Sequence, residues 1–384
     1  MSWVCPDWLE GLPPLAVPYA VDAPLAGFTT IKVGGCAEVL AEVSGWEEMT
    51  ALMAAKPVGV PLTIVGRGSN MVVADGGIGG LVVHVGKGCD VVLTEQDGAG
   101  FKEKLDSSFR WNDASSLSSL VYAEAGADSG KAARAARDAG LTGLEFFGGI
   151  PGSIGGVLRM NAGAYGHETF DDLQKVWVLD AQGVEREMVP AELKPRYRGT
   201  ELPAGWVYKA GLWKLREGDK EAIRERMREI NTARRTSQPL HMPSSGSWFK
   251  NVVLDATAWR DFSVLLGFRS ACTDVYTCGA QPAQNEKIPD HAAHPGIRLL
   301  DDGGAVVSAW RMVDAAGCRG WREGGAQVSE QHCNFFVNAG LAEGKSATAA
   351  DLDGLSKRVE AEIKAKLGVV MEREVRFTGV DIVA

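Results

Sequence analysis

The chain has 384 residues, of which 45% are hydrophobic and 23% are charged. That composition is typical of a soluble globular protein rather than a disordered one, and the length predicts more than one domain. The net charge of −9 at pH 7, with acidic and basic residues interspersed, argues against a nucleic-acid partner.

The cysteines and the N-terminus indicate a compartment. Seven cysteines, an odd number without a CxxC pair, argue against a disulfide framework or a zinc finger and favour reduced thiols. The N-terminus, MSWVCPDWLEGLPPL, carries acids and prolines instead of a basic segment and a long apolar run. No later stretch reaches the roughly 18 apolar residues of a membrane span. We therefore expect a cytoplasmic protein without a membrane partner.

The first part of the chain predicts a small unit of helices and strands. Residues 28–43 alternate around Gly34-Gly35 and indicate a β-hairpin, and residues 45–54 have helical spacing. Residues 61–65 and 81–85 form short apolar strands, and the first of these runs directly into the letters GRGSN.

The middle of the chain predicts a second unit, in which strands dominate. The letters SGKAARAARDA predict a helix at 129–139 that starts with Ser129 as its N-cap and stops at a glycine. Residues 173–180 and 184–189 alternate as strands do.

The last part of the chain predicts a third unit. A strongly amphipathic helix at 219–235 forms the bridge to it, with a boundary near Gly218. Within this unit we expect a helix at 305–316, a buried strand in CNFFVN, an amphipathic helix at 348–367 and a final strand at 375–383.

Residues 66–70, the letters GRGSN, are the first of two glycine-rich segments that carry functional signals. They follow a strand but have neither the spacing of a dinucleotide GxGxxG motif nor that of a P-loop. A tight turn of this kind can hold a diphosphate through backbone N–H groups, and a plain β-turn is the alternative.

The second segment, residues 143–166, contains eight glycines around Pro151. So much glycine predicts backbone shaped for close approach to an anionic or flat polar ligand instead of an ordinary helix, and a run of tight turns is the alternative. One extended ligand lying between two small domains explains both segments, so we interpret them as the site of a dinucleotide cofactor.

Other motifs give weaker signals. The letters PSSGSWFKN at 243–251 place hydroxyl and amide groups where they can reach a ligand, but no Asp–His pair makes Ser247 a nucleophile. Glu372 and Glu374 in EREVRF share a strand face, and by periodicity alone they are solvent-facing charges. The two histidines of HAAH have no third ligand nearby, so we assign no metal site.

Taken together, these segments resemble the successive motifs of the UDP-N-acetylenolpyruvoylglucosamine reductases, the flavoprotein family of peptidoglycan precursor synthesis. The resemblance runs from about residue 28 to residue 379, is most specific in the glycine stretch and is poor at 252–304. In order, the motifs that carry it are FTTIKVGGCAEVL, VGRGSNMVVAD, GLTGLEFFGGIPGSIGGVLRMNAGAYGHE, YRGTEL, GSWFKN, GGAQVSEQHCNFFVN and EREVRFTG.

The resemblance implies an α+β fold, in which a two-part FAD-binding module of the vanillyl-alcohol-oxidase (PCMH) type precedes an α+β substrate-binding domain. It places the first FAD-binding subdomain at 1–78, with the C-terminal strand 373–384 returning to it. The second FAD-binding subdomain falls at 79–217 and the substrate-binding domain at 218–372. We also expect a monomer, and from the charge and hydropathy we expect no nucleic-acid or membrane partner.

The resemblance also implies the chemistry. FAD is the bound cofactor, NADPH is the reducing cosubstrate, and UDP-N-acetylglucosamine enolpyruvate is reduced to UDP-N-acetylmuramate. Ser247 matches the serine that gives a proton to the substrate carbon, Arg198 matches the arginine beside the substrate carboxylate, and Glu374 matches the final acid. Together Arg198 and Glu374 would stabilise an enolate-like intermediate.

Binding residues follow from the same motifs. The FAD diphosphate is assigned to Gly66, Arg67, Gly68, Ser69 and Asn70. The flavin side is assigned to Gly148, Gly149, Ile150, Pro151, Gly152, Ser153, Gly156 and Ala162. The UDP-sugar diphosphate is assigned to Lys250, Asn251 and Gln331.

The chain departs from the family's motifs at Val252 and Arg373, where proline is usual. Tyr276 is available for substrate gating in the region that matches poorly. Two alternatives stay open from the sequence: a flavin oxidase or dehydrogenase of the same fold acting on another alcohol or sugar, and a flavin- or nucleotide-sugar-binding relative without turnover.

Overall fold

The computed structural model describes residues 5–10, 17–94, 97, 119–265 and 296–379. These residues fall into two compact units. The first runs to Ser245 and takes up the chain again from Phe377, and the second runs from Gly246 to Arg376. Tyr276 and the histidines of HAAH lie outside the described residues.

The α-helices of the described residues are α1 Asp7–Glu10, α2 Trp46–Ala55, α3 Ser129–Ala139, α4 Ile154–Met160, α5 Lys220–Ser237, α6 Ala256–Leu265, α7 Ala309–Ala315 and α8 Ala349–Leu367. Short 3₁₀ turns occur at Ala26–Phe28, Glu145–Gly149, Pro190–Leu193 and Ala339–Leu341. In the part of the chain that the structure describes, no helix is both long and apolar enough to span a bilayer.

The first sheet of the first unit mixes parallel and antiparallel strands. The early strands are β1 Tyr19–Pro24, β2 Cys36–Val43, β3 Leu62–Val65, β4 Met71–Val73 and β5 Ile78–Val85. The sheet order is β1-β2-β5-β3, with β5 parallel to both of its neighbours and β1 antiparallel to β2.

The hairpin predicted at 28–43 is wrong, because the antiparallel partner of β2 is β1. The Gly34-Gly35 segment packs against other backbone instead of turning. The N–H of Gly35 donates to the C=O of Ala74 at 2.9 Å, and a Cβ at Gly35 would lie 2.3 Å from the C=O of Asp75.

The second sheet of this unit is antiparallel. Its strands are β6 Val92–Thr94, β7 Leu120–Glu124, β11 Leu173–Leu179, β12 Glu185–Met188 and β13 Val207–Lys214, in the order β12-β11-β13-β7-β6. Two-residue strands pair at its margins, β8 Leu141–Thr142 with β14 Arg216–Glu217 and β9 Gly163–Ala164 with β10 His167–Glu168.

Helix α5 belongs to the first unit, although the sequence predicted a boundary near Gly218. Its apolar residues Ile223 and Met227 are buried in the same core cluster as Phe147 and Trp213. Burial of that face outweighs the composition change near Gly218, so the chain separates after Ser245 instead. The first sheet is also not cut at residue 78, because β5 crosses that position.

The second unit contains two small sheets. Its strands are β15 Ser244–Ser247, which starts at the end of the first unit, β16 Val252–Leu254, β17 Ile297–Leu299, β18 Ala305–Val307, β19 Arg322–Glu323, β20 Ala326–Val328 and β21 Phe335–Asn338. One sheet has the order β15-β21-β20-β19 and the other has the order β16-β18-β17. The last strand, β22 Arg376–Thr378, pairs with β4.

The helix predicted at 305–316 is instead a strand followed by a helix. Val307 pairs with both Val252 and Ile297, which is the position that a β-branched side chain favours. Helix α7 begins only after Ser308.

Helix α8 is the amphipathic helix that the sequence predicted. The apolar residues Leu352, Leu355, Val359 and Ile363 are fully buried. Thr348 and Asp351 cap its start reciprocally, since each side chain accepts the backbone N–H of the other. Helix α8 belongs to the second unit, which also contains Ser247 and Glu374.

Candidate active site

The two glycine-rich segments meet in the first unit. Gly66 lies so close to Ser153 that a Cβ added at Gly66 would be 2.3 Å from the Ser153 Oγ. A Cβ at Gly152 would lie 3.5 Å from the Ser69 Oγ. Segments more than eighty positions apart in sequence therefore form one surface, and glycine at position 66 makes that approach possible.

Several backbone N–H groups on this surface are available to a ligand. Within the described residues, the N–H groups of Arg67, Gly68 and Ser69 donate to no protein acceptor, and the same holds for Gly152 and Ser153. Successive N–H groups of this kind form an anion-binding concavity. The surface is therefore suited to a diphosphate.

The backbone of Gly68 contacts the segment Phe28 to Thr30, to which the sequence assigned no role at this site. Its φ is 59°, and a Cβ there would lie 2.0 Å from the C=O of Phe28. The N–H of Thr30 donates to the C=O of Gly68 at 3.1 Å, and the Thr30 hydroxyl donates to the C=O of Ser244 at 2.6 Å. Thr30 therefore connects the GRGSN turn to the start of β15.

Asp128 balances the charge beside the GRGSN turn. Its carboxylate lies 3.4 Å from the Arg67 Nε and 3.9 Å from an Arg134 nitrogen. It is also the N-cap of α3, since Oδ1 accepts the Lys131 N–H at 3.1 Å, so the predicted cap at Ser129 is one residue late. The signal was present in the sequence, because Asp is as good an N-cap as Ser.

The glycine stretch contains a short helix, α4, contrary to the prediction. The helix starts after Ser153, whose Oγ accepts the Gly156 N–H at 3.4 Å, and it ends at Asn161 with φ 38°. Gly155 faces strand β7's end, where a Cβ would lie 3.0 Å from the Ala125 Cβ. Glycine here serves close helix–strand packing as well as ligand approach.

Arg198 lies on a tight turn of the first unit. Arg196 and Gly199 exchange backbone hydrogen bonds of 2.9 and 3.0 Å across the turn, and Arg198 has φ 59°. Its Nη2 donates to the C=O of Gly163 at 3.0 Å, and its guanidinium lies 4.6 Å from the Tyr197 ring centroid. Both contacts orient the half-buried guanidinium toward the end of the glycine stretch.

Ser247 is the last residue of β15 and is half-buried in the second unit. The residues after it are held by Asn334, which the sequence did not single out. The C=O of Asn334 accepts the Trp248 N–H at 2.7 Å, and its side chain bonds both the N–H and the C=O of Phe249 at 2.9 and 3.0 Å. The position of Ser247 is therefore determined on its C-terminal side.

Glu374 lies beside this segment. Its N–H donates to the C=O of Trp248 at 2.8 Å, and Arg373 forms a β-bridge with Phe249. The same pairing continues at Lys250, whose N–H donates to the C=O of Glu372 at 2.9 Å and whose Nζ forms an ion pair with the Glu372 carboxylate. The structure thus brings the backbones of the Ser247 and Glu374 strands together.

The other predicted substrate residues are also in the second unit. The Oδ1 of Asn251 accepts the Ala309 N–H at 3.1 Å at the start of α7. The exposed Gln331 lies in the turn between β20 and β21, and its N–H donates to the Ser329 Oγ at 3.2 Å. That turn ends at Asn334, the residue that holds Trp248 and Phe249.

Comparison with known proteins gives the family. A family model described as "FAD binding domain" matches residues 37–188, and one described as "UDP-N-acetylenolpyruvoylglucosamine reductase, C-terminal domain" matches residues 238–378. The UDP-N-acetylenolpyruvoylglucosamine reductases of Parvibaculum lavamentivorans and Paramagnetospirillum magneticum are each 34% identical to this chain over 97% of its length, and 94% and 96% of those proteins are covered. The chain belongs to the UDP-N-acetylenolpyruvoylglucosamine reductase family.

A solved structure of the same family supports the fold. The crystal structure of UDP-N-acetylenolpyruvylglucosamine reductase from Thermus caldophilus is 27% identical, covers 94% of this chain and 98% of its own, and superposes with a TM-score of 0.62. The predicted family, the FAD-binding α+β fold and the flavoprotein class are therefore confirmed.

The residues of the first unit fit an FAD diphosphate. The available N–H groups at Arg67 to Ser69 and at Gly152 and Ser153 face no protein acceptor in the described chain, and a Cβ at Gly66 would fill the space between the two segments. Among the described residues no group of three or more metal-ligating side chains is placed to hold a metal ion.

Two of the predicted flavin contacts cannot be made through backbone N–H groups. The N–H of Ala162 donates to the C=O of Val157 at 2.9 Å, and the N–H of Ile150 donates to the C=O of Phe147 at 3.2 Å. Both N–H groups are used by local turns, so Ala162 and Ile150 have no backbone N–H available to donate to the flavin. Only the side chain of either residue is free for that contact.

Tyr165 is a residue of this region that the sequence reading missed. A Cβ at Gly149 would lie 2.9 Å from its ring, and its hydroxyl donates to the C=O of Ile230 at 3.3 Å. Burial raises the pKa of Tyr165, although Arg234 and Arg226 lower it. Gly149 has no side chain and so leaves room for the Tyr165 ring.

Proposed function

We propose that this chain catalyses the NADPH-dependent reduction of UDP-N-acetylglucosamine enolpyruvate to UDP-N-acetylmuramate through bound FAD, a step of peptidoglycan precursor synthesis. One observation carries the proposal: the two glycine segments form a single surface of available N–H groups in a chain that matches named reductases over 97% of its length.

Bound FAD, once reduced by NADPH, would supply the hydride for the enolpyruvyl double bond and return to its oxidised form. The N–H groups of the GRGSN turn and of Gly152 and Ser153 hold the cofactor's diphosphate, because oriented backbone dipoles stabilise the anion without a dedicated side-chain charge. The Arg67 Nε now lies 3.4 Å from the Asp128 carboxylate. Arg67 can therefore add its charge to the diphosphate site once it gives up Asp128 as its partner.

We assign the proton transfer to Ser247. Its hydroxyl donates a proton to the substrate carbon that becomes electron-rich when the neighbouring carbon accepts the hydride. Glu374 stabilises the developing enolate in its protonated form, since an ionised carboxylate there would oppose the charge. The paired backbones of the two strands support this assignment, because Glu374 N–H bonds the residue directly after Ser247.

We assign the substrate carboxylate to Arg198 and the UDP-sugar diphosphate to Lys250, Asn251 and Gln331. A guanidinium already oriented by Gly163 and Tyr197 loses little entropy on binding a carboxylate. Lys250 has to exchange its ion pair with Glu372 for the diphosphate. Its contribution to affinity is therefore expected to be smaller than that of an unpaired lysine.

We further propose that the chain works as a monomer in the cytoplasm. The described cysteines, Cys5, Cys36, Cys89, Cys318 and Cys333, are all free thiols, as is usual for proteins of a reducing compartment. Gel filtration of the purified protein across a concentration series tests the monomer.

The activity is tested with purified protein. We expect a yellow protein with flavin absorbance whose NADPH oxidation is stimulated by the enolpyruvyl sugar nucleotide and not by unrelated sugars or alcohols. A yellow protein that the enolpyruvyl substrate does not stimulate would contradict the reductase. A colourless protein that takes up no added FAD would contradict every flavoenzyme function.

A further inference from the structure

The segments that carry Ser247 and Glu374 are joined through their backbones just after Ser247. The Glu374 N–H donates to the C=O of Trp248 at 2.8 Å, and Phe249 and Arg373 form a β-bridge. Backbone pairing fixes the distance between the two segments, but the pair can still rotate as one body. The orientation of the pair therefore depends on the side chains that pack against it.

Beneath them, a chain of side-chain hydrogen bonds runs through α8. The Trp248 Nε1–H donates to the Ser356 Oγ at 2.7 Å, and the Ser356 hydroxyl donates to the Glu360 Oε1 at 2.7 Å. The Arg373 Nε–H donates to the same Glu360 oxygen at 2.6 Å. We refer to these four residues, Trp248, Ser356, Glu360 and Arg373, as the α8 network.

The α8 network is buried at its Trp248 end and partly exposed at its Arg373 end. Trp248 and Ser356 are fully buried, and Trp248 stacks on Phe336 with ring centroids 4.3 Å apart and planes 9° apart. The Ser356 hydroxyl both accepts and donates a bond, and the bond between Arg373 and Glu360 is charge-assisted. Such networks hold their members more firmly than isolated neutral bonds do.

Arg373 is neutralised at its end of the network. Its Nη1 donates to Asp353 at 2.6 Å in addition to the bond with Glu360, and Asp353 also pairs with Lys357 at 2.7 Å. Burial lowers the pKa of Arg373, but the bonds from Glu360 and Asp353 raise it overall, so the guanidinium stays charged. The charge of Arg373 is therefore balanced by Glu360 inside the network and by Asp353 beside it.

The ends of the network flank the two residues assigned to proton chemistry. Trp248 directly follows Ser247, and Arg373 directly precedes Glu374. The network therefore holds the residue next to each of these two side chains. Neither Ser356 nor Glu360 lies in a motif to which the sequence assigned a role.

We propose that the α8 network positions Ser247 and Glu374 relative to each other for protonation of the substrate carbon, an inference that rests on the proposed function. Its members are positioning residues and do not touch the substrate. Misplacing a reacting group by about 1 Å costs on the order of 100-fold in rate, so the network matters for the half-reaction that needs the proton.

The test separates the two half-reactions by stopped-flow flavin absorbance. Ser356→Ala breaks the chain without altering any charge, and Arg373→Met breaks it at the charged end. For each variant we expect oxidation of the reduced flavin by the enolpyruvyl substrate to slow by about 10- to 100-fold. Flavin reduction by NADPH should stay within about twofold, because that step uses neither Ser247 nor Glu374.

Two comparisons distinguish positioning from general support. Arg358→Met removes an arginine of the same helix that pairs with Glu323 at 3.2 Å, outside the network, and should leave the ratio of the half-reactions unchanged. In a Ser247→Ala background, Ser356→Ala should lose most of its effect on flavin oxidation, because the group it positions is gone. A structural defect would persist in that background.

The outcomes separate this inference from the proposed function. A wild-type protein whose reduced flavin is not oxidised by the enolpyruvyl substrate overturns the function and the positioning role with it. If the wild type is active, either of two results for the network variants overturns the positioning role alone. In the first the variants keep the wild-type rate of flavin oxidation, and in the second they slow both half-reactions equally. Hydrogen exchange supplies a second readout: the Glu374 amide should exchange faster in Ser356→Ala, and unchanged exchange also overturns the role.

Discussion

At the scale of single residues, β15 shows how two serines of one strand differ. Ser245 is fully buried, and its Oγ has no hydrogen-bond partner among the described residues. Ser247, two positions later, is half-buried. Because the two serines lie in one strand and differ in exposure, the same substitution at both positions isolates the role of the accessible hydroxyl.

Ser247→Ala should slow oxidation of the reduced flavin by the enolpyruvyl substrate while leaving flavin reduction by NADPH nearly intact. Loss of a well-placed general acid typically costs about 10² to 10⁴ in rate. Stopped-flow absorbance measures both half-reactions. Equal slowing of the two would count against a proton-donor role.

Ser245→Ala is the matched control. A buried hydroxyl without a partner costs stability, so its removal should leave the melting temperature unchanged or slightly higher and both half-reactions unchanged. Calorimetry measures the melting temperature. A clear fall would mean that the Ser245 hydroxyl has a partner, such as a bound water.

Gly66→Ala should weaken FAD binding. The added Cβ would lie 2.3 Å from the Ser153 Oγ, which also accepts the Gly156 N–H, so either the two glycine segments separate or α4 loses its cap. Overpacking of this kind costs about 1–3 kcal/mol, and a loss of 1.4 kcal/mol corresponds to a Kd about tenfold higher. Titration of the apoprotein with FAD, followed by flavin fluorescence, measures the Kd.

Gly27→Ala is the control for this substitution, because a Cβ at Gly27 meets nothing within 4 Å and its φ is ordinary. It should bind FAD as the wild type does. Equal affinities for FAD in the Gly66 and Gly27 variants would show that the contact with Ser153 does not shape the cofactor surface.

At the scale of elements, α8 is the support of the second unit. Its apolar face is fully buried, and its polar face carries Asp353, which accepts bonds from both Lys357 and Arg373. Burial raises the pKa of Asp353, but those two bonds outweigh it and hold the pKa below its usual value. The carboxylate therefore joins the helix to the Glu374 strand in its ionised form.

Asp353 makes the stability of the second unit depend on pH. A carboxyl group whose pKa is lower in the folded than in the unfolded chain stabilises the fold above its unfolded pKa of about 3.9 and loses that contribution as the pH falls through the folded pKa. Asp353→Asn should therefore lower the free energy of unfolding by about 1–2 kcal/mol at pH 7, and the difference from wild type should shrink below about pH 4.

Urea unfolding at pH 7 and at pH 3 measures this difference. Glu362→Gln is the control, because Glu362 pairs with Lys366 at 2.8 Å on the same helix, in an ordinary surface pair worth about 0.3–0.5 kcal/mol. A difference between Asp353→Asn and wild type that stays constant with pH would contradict the linkage.

At the scale of the whole molecule, the last strand pairs with a strand from the first part of the chain. Strand β22 pairs with β4, and the Ala74 N–H donates to the C=O of Thr378 at 2.9 Å. Strand β4 starts one residue after the GRGSN turn. The C-terminal segment thus supports the cofactor surface from the far end of the sequence.

A chain that stops at Arg376 should lose FAD affinity and keep the second unit. Removing Phe377 and Thr378 leaves the N–H of Ala74 without its acceptor and frees β4, so residues 66–74 should exchange their amide hydrogens faster. Hydrogen exchange measured by mass spectrometry compares this segment with β20 and β21, which serve as the internal control. Unchanged exchange at 66–74 would contradict the supporting role.

Much of the local structure could be predicted from the sequence, since periodicity and caps are local signals. The helices at Trp46–Ala55, Ser129–Ala139, Lys220–Ser237 and Ala349–Leu367 all follow from apolar spacing and capping residues. The hairpin at 28–43 and the helix at 305–316 were wrong because strands outside each segment pair with part of it. Pairing with β1 in one case and with β16 and β17 in the other overrode the local pattern.

The sequence by itself determined the family, the FAD-binding fold and the two glycine segments, because the motifs and their order can be recognised in the sequence alone. Only the tertiary structure decided which N–H groups remain available, that Gly66 lies against Ser153, and that Ser356 and Glu360 connect the Ser247 and Glu374 strands. Hydrogen bonds between residues a hundred positions apart leave no periodic trace in either segment, so the partners become visible only once the chain has folded.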